Sequence, residues 1–312
     1  QGYVHAGTYN GLPVAAKSLL EDSTDDAAEE LSAEVSMMAR FDHDNIHFLI
    51  GYNLQPPDLV MLTELCENGS LFDCYEKHKI KFDHGLQIRL ALDCAKGMRV
   101  LHSLQPPIMH RDLKSLNVFV DADFCAKIAD FGLAIETRAP KAPQPGMGTV
   151  QWMAPEQLYQ PRHDSVYDER VDVYAFGVLL FEITHMKIPY VETGMDQSQI
   201  AIAVIQRGAR PTLDPSLSPS LLHLIEACWN TDPTKRPTMQ QVIDALERIA
   251  GPGGVPQANT RTFAPLGSVA APTLGAQQPM VVSGTMSVQD FNQYLSVYSN
   301  TSAAASARGR RY

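Results

Sequence analysis

The chain lacks a long apolar run, paired cysteines, an excess of basic residues and any internal repeat, and each absence removes a class of function. The most apolar stretch, residues 171–183, is too short to span a bilayer and contains Asp172 and Glu182, so it reads as a buried helix and no membrane segment is expected. The five cysteines, Cys66, Cys74, Cys94, Cys125 and Cys228, are odd in number and widely spaced with no Cys-x-x-Cys pair. That spacing offers neither a disulfide framework nor a zinc site and fits a reducing, cytoplasmic setting. Lys and Arg total 25 against 35 Asp and Glu, a net charge of -10, which argues against nucleic acid as a partner. The one basic cluster, Arg308, Arg310 and Arg311, stands at the end of the chain. A secretory signal is missing, and residue 1 is Gln rather than Met, so a fragment or a processed product is expected, with an upstream membrane anchor left open.

What is present is the composition of a globular protein: 312 residues, 45% hydrophobic and 19% charged, enough for one large core or two medium ones. Asn10-Gly11 separates two strand-like runs at 3–6 and 13–17, a strong hairpin signal. A helix is expected from the cap region Ser23-Thr24-Asp25-Asp26 to about Arg40, with Leu31, Val35 and Met38 on its apolar face and Glu34 at the edge of that face. Extended runs follow near 46–51 and 59–63. Beyond Asn68-Gly69-Ser70 the pattern turns helical: Leu86, Leu90, Ala91, Cys94, Met98 and Leu101 share one face, and further helices are predicted at 171–183, 197–207, 221–229 and 239–249. After Ala250 the chain becomes a low-complexity tail, 251–312, rich in Ala, Pro, Ser, Thr and Gln, which cannot bury enough apolar surface to offset ordering entropy. Within it, Ser287-Val288-Gln289-Asp290 has capping-box spacing ahead of Phe291, Tyr294, Leu295 and Tyr298. That segment reads either as a short docking helix or as fluctuating tail.

The most informative stretch is His110-Arg111-Asp112-Leu113-Lys114-Ser115-Leu116-Asn117, followed by Asp130-Phe131-Gly132. Between them, Val118-Phe119-Val120 and Ile128-Ala129 flank a turn at Asp121-Ala122-Asp123, a hairpin signature. Paired strands lie roughly 5 Å apart, so Asn117 and Asp130 would converge. Two oxygen ligands there suit Mg2+, a hard cation.

This arrangement closely resembles the catalytic loop and metal-binding segment of eukaryotic protein kinases, and the resemblance extends over residues 1 to about 250. It implies an α+β, two-lobed protein kinase-like fold, with a small antiparallel sheet plus one helix in the N-lobe (1–66) and a mainly helical C-lobe (67–250). Val14-Ala15-Ala16-Lys17 matches the strand whose lysine meets the alpha and beta phosphates of ATP, with Glu34 as its partner. Carried over position by position, the resemblance makes Asp112 the catalytic base, Lys114 a stabiliser of charge on the transferring phosphoryl, and Asn117 and Asp130 the Mg2+ ligands. Arg111 would pair with a phosphate on the activation segment. Around the nucleotide, Gly2 and Val4 remain from the glycine-rich loop; Val4 and Ala15 would cover the adenine, Phe119 would lie beneath it, Thr63 would guard the back pocket, and Glu64 to Cys66 would form the hinge. Asp172 would anchor the catalytic-loop backbone, Glu156 would pair with Arg236, and Met38, Leu49, His110 and Phe131 would stack between the lobes.

Gly148-Thr149-Val150-Gln151-Trp152-Met153-Ala154-Pro155-Glu156 is similar to the tyrosine-kinase-like group, which includes Raf and mixed-lineage kinases. Between Phe131 and Trp152 the hydroxyl side chains are Thr137 and Thr149. Thr149 matches the threonine that bridges the base and the catalytic-loop lysine, which leaves Thr137 as the candidate site for an upstream kinase. Lys114 in Leu113-Lys114-Ser115 resembles Ser/Thr kinases, so protein substrates with Ser/Thr acceptors are expected; dual specificity stays open. The glycine loop departs from the pattern: only Gly2-Tyr3-Val4 of Gly-x-Gly-x-x-Gly-x-Val is present, and the preceding strand lies outside the chain. A new sheet edge and fewer phosphate-cradling amides would follow. The competing reading is a pseudokinase-like module that signals by binding.

Overall fold

The computed structural model describes residues 2–19, 25–55, 59–137, 148–159 and 167–251. Ser23 and Thr24 of the expected cap, and the tail from residue 252 with its candidate docking helix, lie outside the described residues.

Strands β1 (Gly2–Tyr9) and β2 (Leu12–Leu19) form an antiparallel hairpin in which Tyr9 pairs with Leu12. Asn10 and Gly11 both take positive φ, 50° and 80°, as a two-residue turn of this hand requires and as Asn-Gly permits. With β3 (Leu49–Asn53) and β4 (Val60–Glu64), they make one antiparallel sheet in the order β1-β2-β4-β3. Helix α1 (Asp25–Met38) buries Leu31, Val35 and Met38. It ends two residues short of Arg40 because Arg40 N–H bonds the Met37 carbonyl, a tight final turn. The run expected from residue 46 becomes a strand only at Leu49. Ile46 instead makes a parallel bridge to Ile128, and His47 N–H donates to the Ile128 carbonyl, which docks this segment onto the second lobe.

That lobe is built on α2 (His84–His102), α4 (Arg170–His185), α5 (Gln197–Arg207), α6 (Pro219–Cys228) and α7 (Met239–Ala250), with the four-residue α3 (Pro155–Leu158) between α2 and α4. The helix starts are chemically marked. Asp83 accepts from Leu86 N–H, and Asp196 with Gln199 and Thr238 with Gln241 form capping boxes. Every residue from Val171 to Thr184 is buried, so α4 is the lobe's central post, as its all-round apolar character predicts. Short strands complete the frame: β5 (Ile108–Met109) pairs with β8 (Ile135–Glu136), and β6 (Val118–Val120) pairs with β7 (Ala126–Ile128) as the predicted hairpin. One continuous core runs from Leu31 and Met61 in the sheet lobe to Leu246 in α7. This is the two-lobed protein kinase fold that the sequence led us to expect.

Candidate active site

Side chains on a strand alternate faces, and cross-strand partners share one. Val4 is paired with Lys17, Ala15 with Thr63, and Leu49 with Thr63. Val4, Ala15, Lys17, Thr63 and Leu49 therefore occupy one face of the sheet, with Gly2 paired to Leu19 at its end. Lys17 Nζ lies 2.6 Å from Glu34 Oε2 on α1, so the two charges meet across the interior. Burial alone would lower the Lys17 pKa, but the Glu34 carboxylate, aided by Asp130, raises it above its ordinary value. The ammonium is thus kept charged.

The catalytic loop is suspended from α4. Asp172, fully buried, accepts the backbone N–H of His110 at 2.8 Å and of Arg111 at 2.9 Å, and His102 Nε2–H at 2.9 Å. Burial pushes its pKa up, yet these donors outweigh it and hold the carboxyl below its usual range. Arg111 sits at φ 68° and sends its Nε–H to the Leu133 carbonyl at 2.6 Å. Beyond it the Asp112 carboxylate is surrounded by donors: Thr149 Oγ1–H reaches Oδ1 at 2.9 Å, while Lys114 Nζ at 2.6 Å and Asn117 Nδ2 at 2.9 Å reach Oδ2. Lys114 also donates to Thr149 Oγ1 at 2.7 Å, so the threonine bridges the Asp112 carboxylate and the Lys114 ammonium. The hairpin pairing continues past its strands, with Ala129 N–H donating to the Asn117 carbonyl at 2.9 Å. This brings Asn117 and the neighbouring Asp130, at φ 61°, to the same end of the ribbon.

At the lobe junction, Glu64 directs its carboxylate inward, accepting Phe48 N–H at 2.9 Å and pairing with buried Lys127 at 3.2 Å. Its carbonyl accepts His47 Nε2–H at 2.9 Å, and the His47 ring lies 5.0 Å from that of Phe119. Two residues on, Cys66 accepts Gly69 N–H on its carbonyl, and burial pushes its thiol pKa well up. His47 and Lys127 were not singled out from the sequence, because an isolated His or Lys in an apolar stretch carries no pattern of its own.

The supporting pairs fall where expected. Arg236 makes a two-pronged contact to Glu156 at 2.6 and 2.9 Å. Met38 and Phe131 are buried in the same core against which Leu49 packs, and the ring of buried His110 lies 5.3 Å from that of Phe131. The largest omission from the sequence reading is Glu182. It collects hydrogen bonds from Tyr75, Ser115 and Trp152, partners too far apart along the chain for any motif to link.

Residues 1–246 match the family model described as "Protein tyrosine and serine/threonine kinase". Among curated proteins, a probable serine/threonine-protein kinase of Dictyostelium discoideum is 37% identical over 250 residues, covering 80% of this chain and 26% of that protein. The serine/threonine-protein kinase CTR1 of Arabidopsis thaliana is 36% identical over 252 residues, 80% of this chain and 30% of its own length. STY46 from the same plant, another serine/threonine-protein kinase, is 36% identical over 251 residues, 80% and 42%. The chain thus spans less than half the length of these relatives. A match that runs into α7, on a chain that folds into both lobes, makes this a member of the protein tyrosine and serine/threonine kinase family, with the Gly148 to Glu156 motif of the tyrosine-kinase-like group.

Proposed function

We propose that the protein transfers the gamma-phosphoryl group of MgATP to Ser or Thr hydroxyls of protein substrates, with residues 1–250 as the catalytic unit (lobes 1–66 and 67–250) and 251–312 as a low-complexity tail. The observation that carries this reading is the donor-ringed Asp112 carboxylate, held by Thr149, Lys114 and Asn117. Three positioned donors orient a carboxylate for an incoming hydroxyl. Members of this family use ATP and Mg2+. Asn117 and Asp130 would hold the Mg2+ through hard side-chain oxygens at one end of the hairpin. When bound, the metal neutralises phosphate charge. Lys17, held charged by Glu34, meets the alpha and beta phosphates. Lys114 stands beside Asp112 to stabilise charge on the moving phosphoryl, and Asp112 takes the acceptor's proton. The face carrying Val4, Ala15 and Thr63 covers the adenine, Phe119 lies beneath it, and backbone groups of Glu64 to Cys66 form the hinge.

The named activities of the relatives support Ser/Thr acceptors. Among the described residues no helix is long and apolar enough to cross a membrane, and we place the protein in the cytoplasm on its five free, buried cysteines. Thr137 is the proposed target of an upstream kinase. It is half-buried at the end of β8, beside Glu136, whose carboxylate meets Arg40 at 3.0 Å; Arg111 would receive the new phosphate.

The deciding experiment is transfer of labelled gamma-phosphate to protein substrates by the intact protein and by Asp112→Asn, with the phosphoamino acids separated afterwards. Label on Ser and Thr, lost in the variant, is the expected result. Equal incorporation by both proteins would overturn the assignment.

A further inference from the structure

His47 stands at the junction of the lobes, and none of the roles above uses it. Its backbone is fixed to the second lobe, where its N–H donates to the Ile128 carbonyl at 2.8 Å. Its side chain is buried and reaches the hinge, with Nε2 lying 2.9 Å from the Glu64 carbonyl oxygen. A carbonyl can only accept, so Nε2 carries the proton and donates. The same ring lies 5.0 Å from that of Phe119, tilted by 41°. The imidazole thus stands against two of the residues assigned to the nucleotide base, the hinge at its edge and the ring beneath it. Burial lowers the His47 pKa, partly offset by Glu64, and Lys127 lowers it further. At neutral pH the ring is therefore uncharged, with its one N–H committed to Glu64.

This hydrogen bond cannot relax by moving its backbone ends. Glu64 N–H donates to the Phe48 carbonyl at 3.1 Å, while its carboxylate accepts Phe48 N–H at 2.9 Å and meets Lys127 Nζ at 3.2 Å. Lys127 is itself held, donating to the Asp44 carbonyl at 3.0 Å. With Glu64 fixed through its amide and its side chain, and His47 through its amide, the adjustable part is the imidazole torsion.

The consequence concerns the edge of the base. A hinge carbonyl standing alone is an acceptor, so it favours a purine with an amino group there, such as adenine, and repels one with an oxygen. An imidazole N–H on that carbonyl changes what is offered. An amino group must share the oxygen or displace the imidazole, whereas a 6-oxo purine finds a donor within a ring rotation. We propose, on the reading of this cleft as a nucleotide site with Glu64 to Cys66 as its hinge, that His47 is a specificity-determining residue for the purine base and narrows the preference for a 6-amino over a 6-oxo group.

The test uses the intact protein as wild type, His47→Val and His47→Phe. His47→Val removes the N–H and opens space; His47→Phe removes the N–H and keeps a ring. Calorimetry would give dissociation constants for MgATP and for the magnesium salt of inosine triphosphate, which carries an oxygen in place of the adenine amino group, a readout independent of phosphoryl transfer. Wild type should bind the two nucleotides with similar affinity. Both variants should tighten ATP and weaken the inosine nucleotide, moving the ratio of the two constants by about 10-fold. Should His47→Val fail to fold, His47→Phe carries the comparison. An unchanged ratio, an equal loss for both nucleotides, or a shift confined to His47→Val, which would trace to space rather than to the hydrogen bond, would each overturn the role of His47 alone. Failure of wild type and both variants to bind either nucleotide would instead overturn the nucleotide site on which that role rests.

Discussion

Thr149 donates its hydroxyl to Asp112 Oδ1 at 2.9 Å across 37 residues of sequence, which ties the segment leading to α3 to the loop that carries Asp112. The same oxygen, Thr149 Oγ1, accepts from Lys114, so one hydroxyl coordinates both charged members of the site. Replacing Thr149 with Val keeps the shape and removes the bridge. We expect kcat/KM for a protein acceptor to fall by roughly 10-fold or more, since hydrogen bonds to charged groups contribute about 1.5–3 kcal/mol. Thr149→Ser should recover most of the loss, and steady-state kinetics on the two variants checks both.

The Lys17 to Glu34 ion pair predicts a graded series in nucleotide use. Lys17→Met removes the cation and should lower kcat/KM for ATP by about 10²-fold or more, the scale seen when one preorganised charge-stabilising donor is lost. Glu34→Gln leaves a neutral hydrogen bond to Lys17 and should cost less. A Glu34→Gln variant as impaired as Lys17→Met would show that the pair works by some other means than holding the lysine.

Helix propensity and tertiary packing make opposite predictions at Gly97. In isolation, Gly to Ala inside a helix gains about 1 kcal/mol. Here a Cβ at residue 97 would collide with the Asn45 carbonyl oxygen and meet Ile128 Cγ1 at 2.7 Å, where α2 closes on the hairpin. Gly97→Ala should therefore destabilise by about 1–3 kcal/mol. Gly85, in the first turn of the same helix, has only an ordinary contact at 3.5 Å, and Gly85→Ala should be neutral or stabilising. Thermal unfolding of both variants separates the two effects.

Glu182 gives stability a signed pH dependence. Its pKa rises from an ordinary 4.5 to about 7 in the folded chain because burial disfavours the anion more than its hydrogen bonds favour it. The folded state thus holds a proton that the unfolded state has released, and the associated stability is full below about pH 4.5 and lost as pH rises through about 7. The shift corresponds to roughly 3 kcal/mol. Unfolding free energies of wild type and Glu182→Gln, compared at about pH 5 and about pH 8, should move against wild type at the higher pH by up to that amount. A gap that moves the other way would contradict the assignment.

The Arg236 to Glu156 pair is asymmetric in burial. The Arg236 side chain is 0% exposed and that of Glu156 is 25% exposed. Removing Glu156 strands a buried cation, so Glu156→Ala should destabilise by about 3 kcal/mol or more. Denaturant unfolding measures it, with catalysis persisting under conditions where the variant remains folded.

Much of the fold was legible because local chemistry repeats at fixed periods. Residues 197–207 were read as helix and are α5 to the residue, since Asp196 and Gln199 cap its start and Gly208, at φ 61°, ends it. The Asn10-Gly11 hairpin followed from the one backbone shape those residues favour. The site was legible for a related reason. The proposed phosphoryl transfer would use Lys17, Glu34, Asp112, Lys114, Asn117 and Asp130 as chemical types in a set order, and such requirements leave marks that a single sequence displays.

Residues 46 and 47, expected as strand, dock onto β7 instead, while the Phe48 carbonyl accepts Glu64 N–H of β4. Extended character alone does not say which neighbour a segment will pair with, and His47 found its backbone partner in Ile128.

By itself, then, the sequence determined most of the element spans, the hairpin that joins Asn117 to Asp130 and the residue types of the chemistry. Only the tertiary structure decided which other buried polar groups satisfy one another, Glu182 with Tyr75 across 107 residues and Lys127 with Glu64, and the close approach that requires Gly97. A buried polar atom must find a partner somewhere, but which one depends on how segments distant in sequence pack together, and no local period encodes that.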